Sequence, residues 1–364
     1  MQTYPIPQMN LTEALAMQFR LVDLIRRHFS GAEFLQAGDF GVNPGFGRPY
    51  STAKVEAALA EFFEAEDCTL VRGAGTGAIR SALMANFNPG DSMLVHDAPV
   101  YSTTKVTFRA MGLTLIKSDF NDRAAVEAAL DSQIKGVYIQ HSRQMLQDHY
   151  DLATVIQTVR TVSTTVPIIV DDNYTTMAVP KIGCQLGANL SAFSLFKLLG
   201  PPGVGCVVGN SKYIAPIRDD AYSGGTKVQG PEAMEALKSL VYTPVMVAIG
   251  VKVVDEVSSR LNDGEVPGVV RAHLGNHQAR SLLVELAEPI APAVIEQAIR
   301  QGATPYPVGA ASRHEVGTMF YRVSKAMSEA DPSLSDTLIR ISPFRSGAET
   351  IINILKSALQ DVSS

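Results

Sequence analysis

A lysine that directly follows an apolar segment has the clearest chemical potential in this sequence. Lys197 lies in the segment Ser194–Gly200, which reads SLFKLLG. An amine in apolar surroundings has a lowered pKa and acts as a nucleophile toward carbonyl groups. A lysine is more often a solvated surface group, so its neighbours must decide between the two interpretations.

Two further groups could complete such a site. The glycine-rich stretch RGAGTGA at residues 72–78 precedes a helical pattern, and free amides there could bind an anion. Its spacing is neither that of a P-loop nor that of a dinucleotide-binding turn, and a plain glycine-rich turn is an equal alternative. Asp171 and Asp172 end the apolar segment IIVDD. Two carboxylates exceed what a cap needs, so one of them could face a cationic ligand atom.

The elements that must position these groups alternate along the chain. From about residue 66 to 209, short β-branched segments alternate with amphipathic helical patterns, which predicts an α/β fold with a wound, mostly parallel sheet. Ligands bind at the carboxyl ends of such strands. We expect a helical arm at 1–30, a large domain with a long linker helix at 31–262, and a small C-terminal α+β domain at 263–364.

Composition excludes several classes of function. The net charge is -5 and no basic run is interleaved with aromatic residues, so nucleic acid is not expected as a partner. Three dispersed cysteines indicate neither a disulfide framework nor a metal site. The apolar stretch 240–251 is too short to span a membrane, and with no signal-peptide pattern we expect a cytoplasmic protein. A charged fraction of only 18% favours a buried subunit interface.

The order of these features along the chain resembles one enzyme superfamily. A glycine-rich turn, then Tyr101, an aspartate and a Ser-x-x-Lys sequence are similar to the fold type I enzymes that depend on pyridoxal 5'-phosphate (PLP). The segment FKLLGPPGVG resembles the lysine segment of the selenocysteine-synthase-like branch. The segment TLVRGAGTGAIRSAL resembles the phosphate turn of the lyase and desulfurase branches. The resemblance runs from about Asn43 to the C-terminus and implies PLP as the cofactor.

The resemblance implies roles for individual residues. Lys197 would carry PLP as a Schiff base and move the proton at the substrate's Cα. Asp171, which has the register of the family's D-x-x-aromatic pattern with Tyr174, would pair with the pyridine nitrogen, and Asp172 is the rival candidate. The other expected cofactor contacts are the phosphate ligands Gly75, Thr76, Gly77 and Ser194 and the ring-stacking Tyr101.

Residues from elsewhere in the fold are also expected to contact the substrate or the cofactor. Arg340 matches the family's carboxylate-binding arginine, with Arg345 as a nearby alternative. Arg143 falls nearest the position where most members place an asparagine against the ring oxygen, and Gln144 is the other candidate. Arg48 and Thr226 would approach the cofactor across the interface of a homodimer.

Two enzymatic functions fit these residues. An aminotransferase acting on an amino acid is our main expectation, because transaminases are prevalent in the superfamily. The alternative is a lyase that eliminates a β or γ substituent, which the lyase-like phosphate turn and the missing asparagine favour. Racemisation also stays open, and a non-catalytic α/β ligand-binding protein is a third, weaker possibility. The substrate of amino-acid metabolism on which it acts is not indicated.

Overall fold

The computed structural model describes residues 2–223, 225–275, 281–305 and 312–363. Within these ranges the strands are β1 (Asp67–Arg72), β2 (Ser92–His96), β3 (Thr114–Ser118), β4 (Ile134–Gln140), β5 (Ile168–Asp171), β6 (Leu190–Ser194), β7 (Val204–Gly209), β8 (Val269–Leu274), β9 (Leu282–Leu286), β10 (Met319–Arg322) and β11 (Leu338–Ser342). The helices there are α1 (Leu11–His28), α2 (Gly31–Leu35), α3 (Tyr50–Phe62), α4 (Ala74–Asn86), α5 (Ser102–Met111), α6 (Arg123–Ala129), α7 (Leu152–Val162), α8 (Ser211–Asp220), α9 (Gly230–Asn262), α10 (Ala291–Arg300), α11 (Lys325–Ala330), α12 (Leu334–Thr337) and α13 (Ala348–Ser363).

The chain divides into two compact units. The large unit consists of Thr12–Ser142 and Tyr150–Val245, and the small unit of Met1–Leu11, Arg143–His149 and Met246–Ser364. The division falls inside α9, because that helix continues from one unit into the other. The two units reflect which residues lie close together in space and do not test where the predicted domains begin and end. The predicted domain limits at residues 30/31 and 262/263 therefore stay predictions.

The large unit contains the predicted wound sheet. Its described strands lie in the order β1-β7-β6-β5-β4-β2-β3. The pairs from β3 through β2, β4 and β5 to β6 are parallel, while β7 runs antiparallel to both of its neighbours. Buried apolar residues cover both faces, which explains why the strands read as apolar runs. The predicted α/β, mostly parallel fold is therefore confirmed.

Strand register brings the chemically active segments to one edge of this sheet, the one formed by the carboxyl ends of its parallel strands. Gln140 of β4 pairs with Asp171 of β5, and Asp171 pairs with Ala192 of β6. The parallel strands β4, β5 and β6 thus end side by side. Helix α4 follows β1, and its N-cap residue Gly73 has a φ of 96°, in the left-handed region that glycine adopts without strain.

The small unit contains a four-stranded antiparallel sheet in the order β10-β11-β9-β8 among the described strands. Helices α10 and α13 cover one face, where Ile339 and Ile341 of β11 join the core. Since side chains alternate along a strand, Arg340 lies on the opposite face. The expected small C-terminal α+β element is present.

Helix α9 is long and apolar enough to cross a membrane by length and composition, and among the described residues no other helix is. In its most apolar window, 44% of the residues are buried inside the protein. Ala236, Leu237 and Leu240 belong to the core of the large unit. A core helix passes the same test, so the feature is weak evidence for a membrane span. The cytoplasmic location stays a prediction.

Candidate active site

Lys197 follows the end of β6 in a short 3-10 turn. Its backbone N–H donates to Ser194 Oγ at 3.3 Å. Its amine lies 3.9 Å from the centroid of the Tyr174 ring. Burial lowers the pKa of the Lys197 amine, while the negative charge of Asp171 and the Tyr101 phenol oppose that shift. The amine therefore has a larger unprotonated fraction than a solvated lysine has, as a nucleophile or a base requires.

Asp171 is the carboxylate that interacts with Lys197. Tyr138 Oη donates to its Oδ2 at 2.9 Å, and Asn173 donates to its Oδ1 through Nδ2 at 2.7 Å and through N–H at 3.0 Å. Burial raises the pKa of Asp171, and these hydrogen bonds and the Lys197 charge lower it. Three donors therefore hold this buried carboxyl group in place at the edge of the sheet.

Asp172 points to the opposite side of the strand end. His141 Nδ1 lies 2.7 Å from its Oδ1, and the N–H of Gly183 donates to its Oδ2 at 3.1 Å. Thr175 Oγ1 donates to the same Oδ1 at 3.3 Å. Asp172 thus organises the turn after β5, and of the two candidates only Asp171 faces Lys197.

The glycine-rich turn forms the start of α4. The N–H of Gly77 donates to the carbonyl of Gly73 at 2.7 Å. The N–H groups of Gly75 and Thr76, in the first helical turn, have no intrahelical acceptor. A Cβ at Gly77 would collide with the carbonyl oxygen of Arg72, so only glycine fits there. This helix start offers two free donors and a favourable dipole to an anion.

Asn173 connects three parts of this site and was missed by sequence reasoning. Its Oδ1 accepts the N–H of Ser194 at 3.1 Å, while its Nδ2 donates to Asp171. Its side chain lies so close to Gly75 that a Cβ at that glycine would collide with it. One amide therefore joins the end of β5, the end of β6 and the start of α4. Its position two residues after Asp171 was the available signal.

Tyr101 stands at the N-terminus of α5. It is half-buried, and its N–H donates to Gln140 Oε1 at 3.4 Å. Gln140 in turn accepts the Tyr150 hydroxyl on its carbonyl oxygen at 2.5 Å. Tyr101 is close enough to Lys197 to affect the pKa of the amine. An aromatic ring thus stands near the lysine, as the stacking prediction requires.

Backbone strain is concentrated around these residues. Six non-glycine residues of the described chain have a positive φ, and Ala74, Tyr174 and Leu199 are three of them, at 52°, 69° and 64°. They flank the glycine-rich turn, Asp171 and Lys197. Such conformations cost free energy and are typical of functional sites.

The residues of this edge fit the cofactor that the resemblance implies. The amine of Lys197 can condense with an aldehyde, and Asp171 offers a carboxylate to a ring nitrogen. Gly75 and Thr76 offer unpaired amides to a phosphate, and Tyr101 offers a ring face. The aldehyde, the ring nitrogen, the phosphate and the ring face of PLP therefore each have a matching group in the large unit.

The remaining predicted residues have other surroundings. In the small unit, Arg143 Nη1 donates to the carbonyl of Asp148 at 3.2 Å, and Arg345 Nη2 donates to the carbonyl of Ser312 at 3.3 Å. Burial lowers the pKa of Arg345. Thr226 is exposed and its Oγ1 donates to the carbonyl of Ser223 at 2.8 Å, while the neighbouring Gly224 lies outside the described residues. The roles predicted for these residues stay predictions.

Arg48 and Arg340 are the other two arginines among the predicted site residues. In the large unit, the Arg48 guanidinium pairs with the fully buried Glu56, and its Nη1 donates to the carbonyl of Phe46 at 2.8 Å. Burial raises the pKa of Glu56, and the Arg48 charge opposes that shift. In the small unit, Arg340 is 5% exposed and borders a cavity.

Of the histidines near the site, His96 and His141 have structural contacts. His96 Nδ1 accepts the N–H of Phe120 at 3.0 Å, and its ring packs against Tyr150. His96, Asp97 and Asp119 form a group that could hold a cation by distance alone. Because the Phe120 N–H already uses Nδ1 of His96, we assign no metal to this group.

Comparisons with known proteins place the chain among relatives of this chemistry. Residues 46–217 match the family described as Cys/Met metabolism PLP-dependent enzyme, and residues 255–355 match the YhfS-like C-terminal domain. The chain is 48% identical over 363 residues to the protein YhfS of Escherichia coli (strain K12), covering 100% of both chains.

Solved structures and a second curated relative extend this similarity. The crystal structure of the pyridoxal-5'-phosphate dependent protein YhfS has a TM-score of 0.97, and the match covers 99% of this chain and 100% of that one. L-methionine gamma-lyase of Pseudomonas putida is 29% identical over 171 residues, which are 45% of this chain and 42% of the lyase. A methionine gamma lyase from Micromonospora echinospora has the same fold, with a TM-score of 0.71 at 17% identity over 94% of this chain and 98% of that one.

Proposed function

The chain belongs to the YhfS family within the PLP-dependent enzymes of fold type I, and from this premise we propose that it eliminates a β or γ substituent from an amino acid. The resemblance and the cofactor inferred from the sequence are thereby confirmed. For the reaction, the lyase alternative has more support than the aminotransferase that was our main expectation. The Cys/Met metabolism match spans every proposed cofactor ligand of the large unit from Gly75 to Lys197.

The observation that carries the PLP chemistry is the amine of Lys197, buried beside Asp171 and the Tyr174 ring, and the match to the Cys/Met metabolism family supports elimination as the reaction. PLP, when bound, supplies a ring that accepts the electron pair left at the substrate's Cα. Lys197 takes the proton from Cα, since its lowered pKa leaves it unprotonated more often than a solvated lysine. Asp171 would hold a proton on the ring nitrogen of the cofactor, and Tyr101 would offer its ring to the ring face.

Elimination also requires that a proton be available to the departing group. The bond from Cβ or Cγ to the substituent breaks with its electrons on the substituent, and the protonated Lys197 can return a proton there. The Tyr174 ring face, 3.9 Å from Nζ, favours that cationic form. The same lysine thus acts first as a base and then as an acid.

Substrate recognition is assigned to Arg340. It is a buried cation of the small unit, and it matches the family's carboxylate-binding arginine. A charge-assisted hydrogen bond to a carboxylate is stronger than one between neutral groups. We therefore assign the substrate's α-carboxylate to Arg340 rather than to Arg345, whose Nη2 is engaged by Ser312.

We also propose that the protein is a homodimer. The segment before α3 carries large apolar side chains that face solvent: Phe40 is 77% exposed, Val42 50% and Phe46 45%. Contiguous exposed apolar surface marks an interaction site. The segment ends at Arg48, which the resemblance directs to a partner's cofactor phosphate. Sedimentation measurements on the wild type and on Phe40→Ser test the proposed dimer. A wild type that sediments as a monomer would contradict the proposal.

The experiment that tests the enzymatic proposal compares lysine variants. Wild type, Lys197→Ala and the exposed-site control Lys181→Ala are loaded with PLP and given β- or γ-substituted amino acids. We expect ammonia and a 2-oxo acid from the wild type and the control, and a loss of at least about 100-fold in Lys197→Ala, because a positioned base contributes at least that factor. Undiminished release by Lys197→Ala would refute the assignment.

A further inference from the structure

The side-chain amide of Asn173 is held in one orientation by two different partners. Its Oδ1 accepts the N–H of Ser194 at 3.1 Å, and its Nδ2 donates to Asp171 Oδ1 at 2.7 Å. If the amide turned over, its oxygen would face the carboxylate and its NH₂ group would face the N–H of Ser194. Both hydrogen bonds would then be lost, so the two partners together determine which end of the amide faces Asp171.

This amide explains why residue 75 is a glycine. Gly75 is buried in the first turn of α4, and its backbone does not adopt the left-handed conformation that favours glycine. The three nearest heavy atoms that a Cβ at Gly75 would meet all belong to the Asn173 side chain, and each lies closer than real Cβ contacts allow. Alanine is the better residue for a helix. The glycine therefore leaves space for the asparagine.

Ser194 connects the same amide to the segment that carries the lysine. Ser194 is 2% exposed and ends β6, and its Oγ accepts the N–H of Lys197 at 3.3 Å. Asn173 thus contacts Asp171 directly and the lysine segment through one serine. All of these residues belong to the large unit, so the arrangement is complete within that unit.

The start of α4 has no charged side chain of its own with which to act on Asp171. Residues 74–77 read AGTG and contain no titratable group. Titratable groups reach Asp171 from neighbouring elements or lie at the same strand end: Tyr138 of β4, Lys197 after β6, and the paired Asp172 and His141. The Asn173 amide is the side chain that lies against both Gly75 and the Asp171 carboxylate.

We propose that Asn173 is a positioning residue that couples the start of α4 to Asp171, and that residue 75 is glycine because the Asn173 amide occupies the space of a Cβ there. A side chain at residue 75 displaces the amide, and the displaced amide no longer donates to the carboxylate. The inference rests on the proposed function in one respect, because it takes Asp171 as the partner of the cofactor's ring nitrogen.

A double-mutant cycle tests this coupling. Asn173→Ala, Gly75→Ala and the double variant are loaded with PLP, and the absorbance of the cofactor is titrated with acid. Asn173→Ala removes the Nδ2 donor, so the acid midpoint should rise by about one pH unit. Gly75→Ala should shift it in the same direction, and the double variant should shift no further than Asn173→Ala alone. Additive shifts, or a wild-type midpoint in Gly75→Ala, would overturn the proposal.

The same cycle is measured without cofactor, as the free energy of unfolding in urea. Gly75→Ala should lower the stability of the wild type, because the methyl group displaces the amide. In the Asn173→Ala background it should raise the stability, because alanine is the better helix former. A loss of stability in both backgrounds would contradict the contact. If Gly75→Ala alone does not fold, the double variant decides: a folded protein that binds PLP supports the contact, and an unfolded one overturns it.

An isosteric variant separates positioning from packing. Asn173→Asp fills the same space and can still accept the N–H of Ser194, but it sets a second carboxylate against Asp171. Neighbouring like charges raise the pKa of a carboxyl group. The acid midpoint should therefore rise further than in Asn173→Ala. A role in filling space alone predicts the wild-type midpoint, and that result would overturn the proposal.

Asn189→Ala is the matched control. It removes an amide at the opposite end of the same strands, where Asn189 Oδ1 accepts the N–H of Ile168 at 2.8 Å. The variant should lower the stability and leave the acid midpoint unchanged. A midpoint that moves equally in this variant would show that lost stability alone causes the shift, and would overturn the inference.

The two proposals fail separately. A protein that shows the non-additive shifts but releases no ammonia refutes only the lyase. A protein that releases ammonia while the two shifts add refutes only the role of Asn173.

Discussion

Replacing Tyr138 by Phe should shift the pH at which the enzyme loses activity in acid. Tyr138 is 2% exposed, and burial raises the pKa of its hydroxyl well above the ordinary value, so it stays a donor at any working pH. It donates to Asp171 Oδ2 at 2.9 Å and thereby lowers the pKa of that carboxyl. The substitution removes one oxygen and leaves the packed ring in place.

The size of the shift follows from that single hydrogen bond. A hydrogen bond to a charged group contributes about 1.5–3 kcal/mol, and about 1.4 kcal/mol corresponds to one pKa unit. Two bonds from Asn173 to Asp171 remain, so we take the lower end of that range. The pKa of Asp171, already raised by burial, should rise further by about one unit. Because only the ionised Asp171 holds the proton on the ring nitrogen, activity should be lost at a higher pH.

The assay is the pH dependence of kcat/KM for ammonia release, together with an absorbance titration of the PLP-loaded protein that needs no turnover. In Tyr138→Phe both acid limbs should move up by about one pH unit, with the plateau nearly unchanged. The matched control is Thr104→Val, which removes the 3.4 Å contact on the far side of the Tyr138 hydroxyl and leaves Asp171 untouched. Acid limbs that coincide with those of the wild type would refute the role of Asp171.

Three further outcomes test other parts of the structure. Gly77→Ala should weaken PLP binding at least tenfold in a titration of the cofactor-free protein, because the added methyl collides with the carbonyl of Arg72; equal affinity would argue against the phosphate turn. Gly250→Ala in α9 should raise the free energy of unfolding in urea by about 0.5–1 kcal/mol, since nothing lies within 4 Å of the new methyl, and a loss of stability would contradict the helix there. Burial raises the pKa of the Cys184 thiol to about 12, so iodoacetamide should not label it at pH 8 until the protein unfolds, and rapid labelling of the folded protein would show that the thiol is accessible.

The sheet and the clustering of its chemical groups could be predicted from the sequence. Alternating apolar strands and helical patterns specify a wound sheet, and the carboxyl ends of parallel strands must meet. Lys197, Asp171 and the turn at Gly75 therefore had to approach one another. The preference for Asp171 over Asp172 rested on its register with Tyr174, and in the structure Asp171 faces Lys197.

The partners of these residues could not be predicted, because they depend on tertiary register. Tyr138 reaches Asp171 only because β4 pairs with β5, and Asn173 reaches Ser194 only because β6 ends beside it. The pairing of Arg48 with Glu56 arises where the approach to α3 folds back on that helix. The reaction type was equally out of reach, since the same lysine and aspartate serve transamination and elimination.

The stoichiometry of ammonia release tests the central claim most directly. The PLP-loaded protein is incubated with a β- or γ-substituted amino acid and no added oxo-acid, and ammonia is measured per protomer together with the absorbance of the cofactor. A lyase releases many equivalents of ammonia and keeps its PLP spectrum, as we predict. Conversion of one equivalent of cofactor to the pyridoxamine form, with no ammonia released, would contradict elimination and restore the aminotransferase.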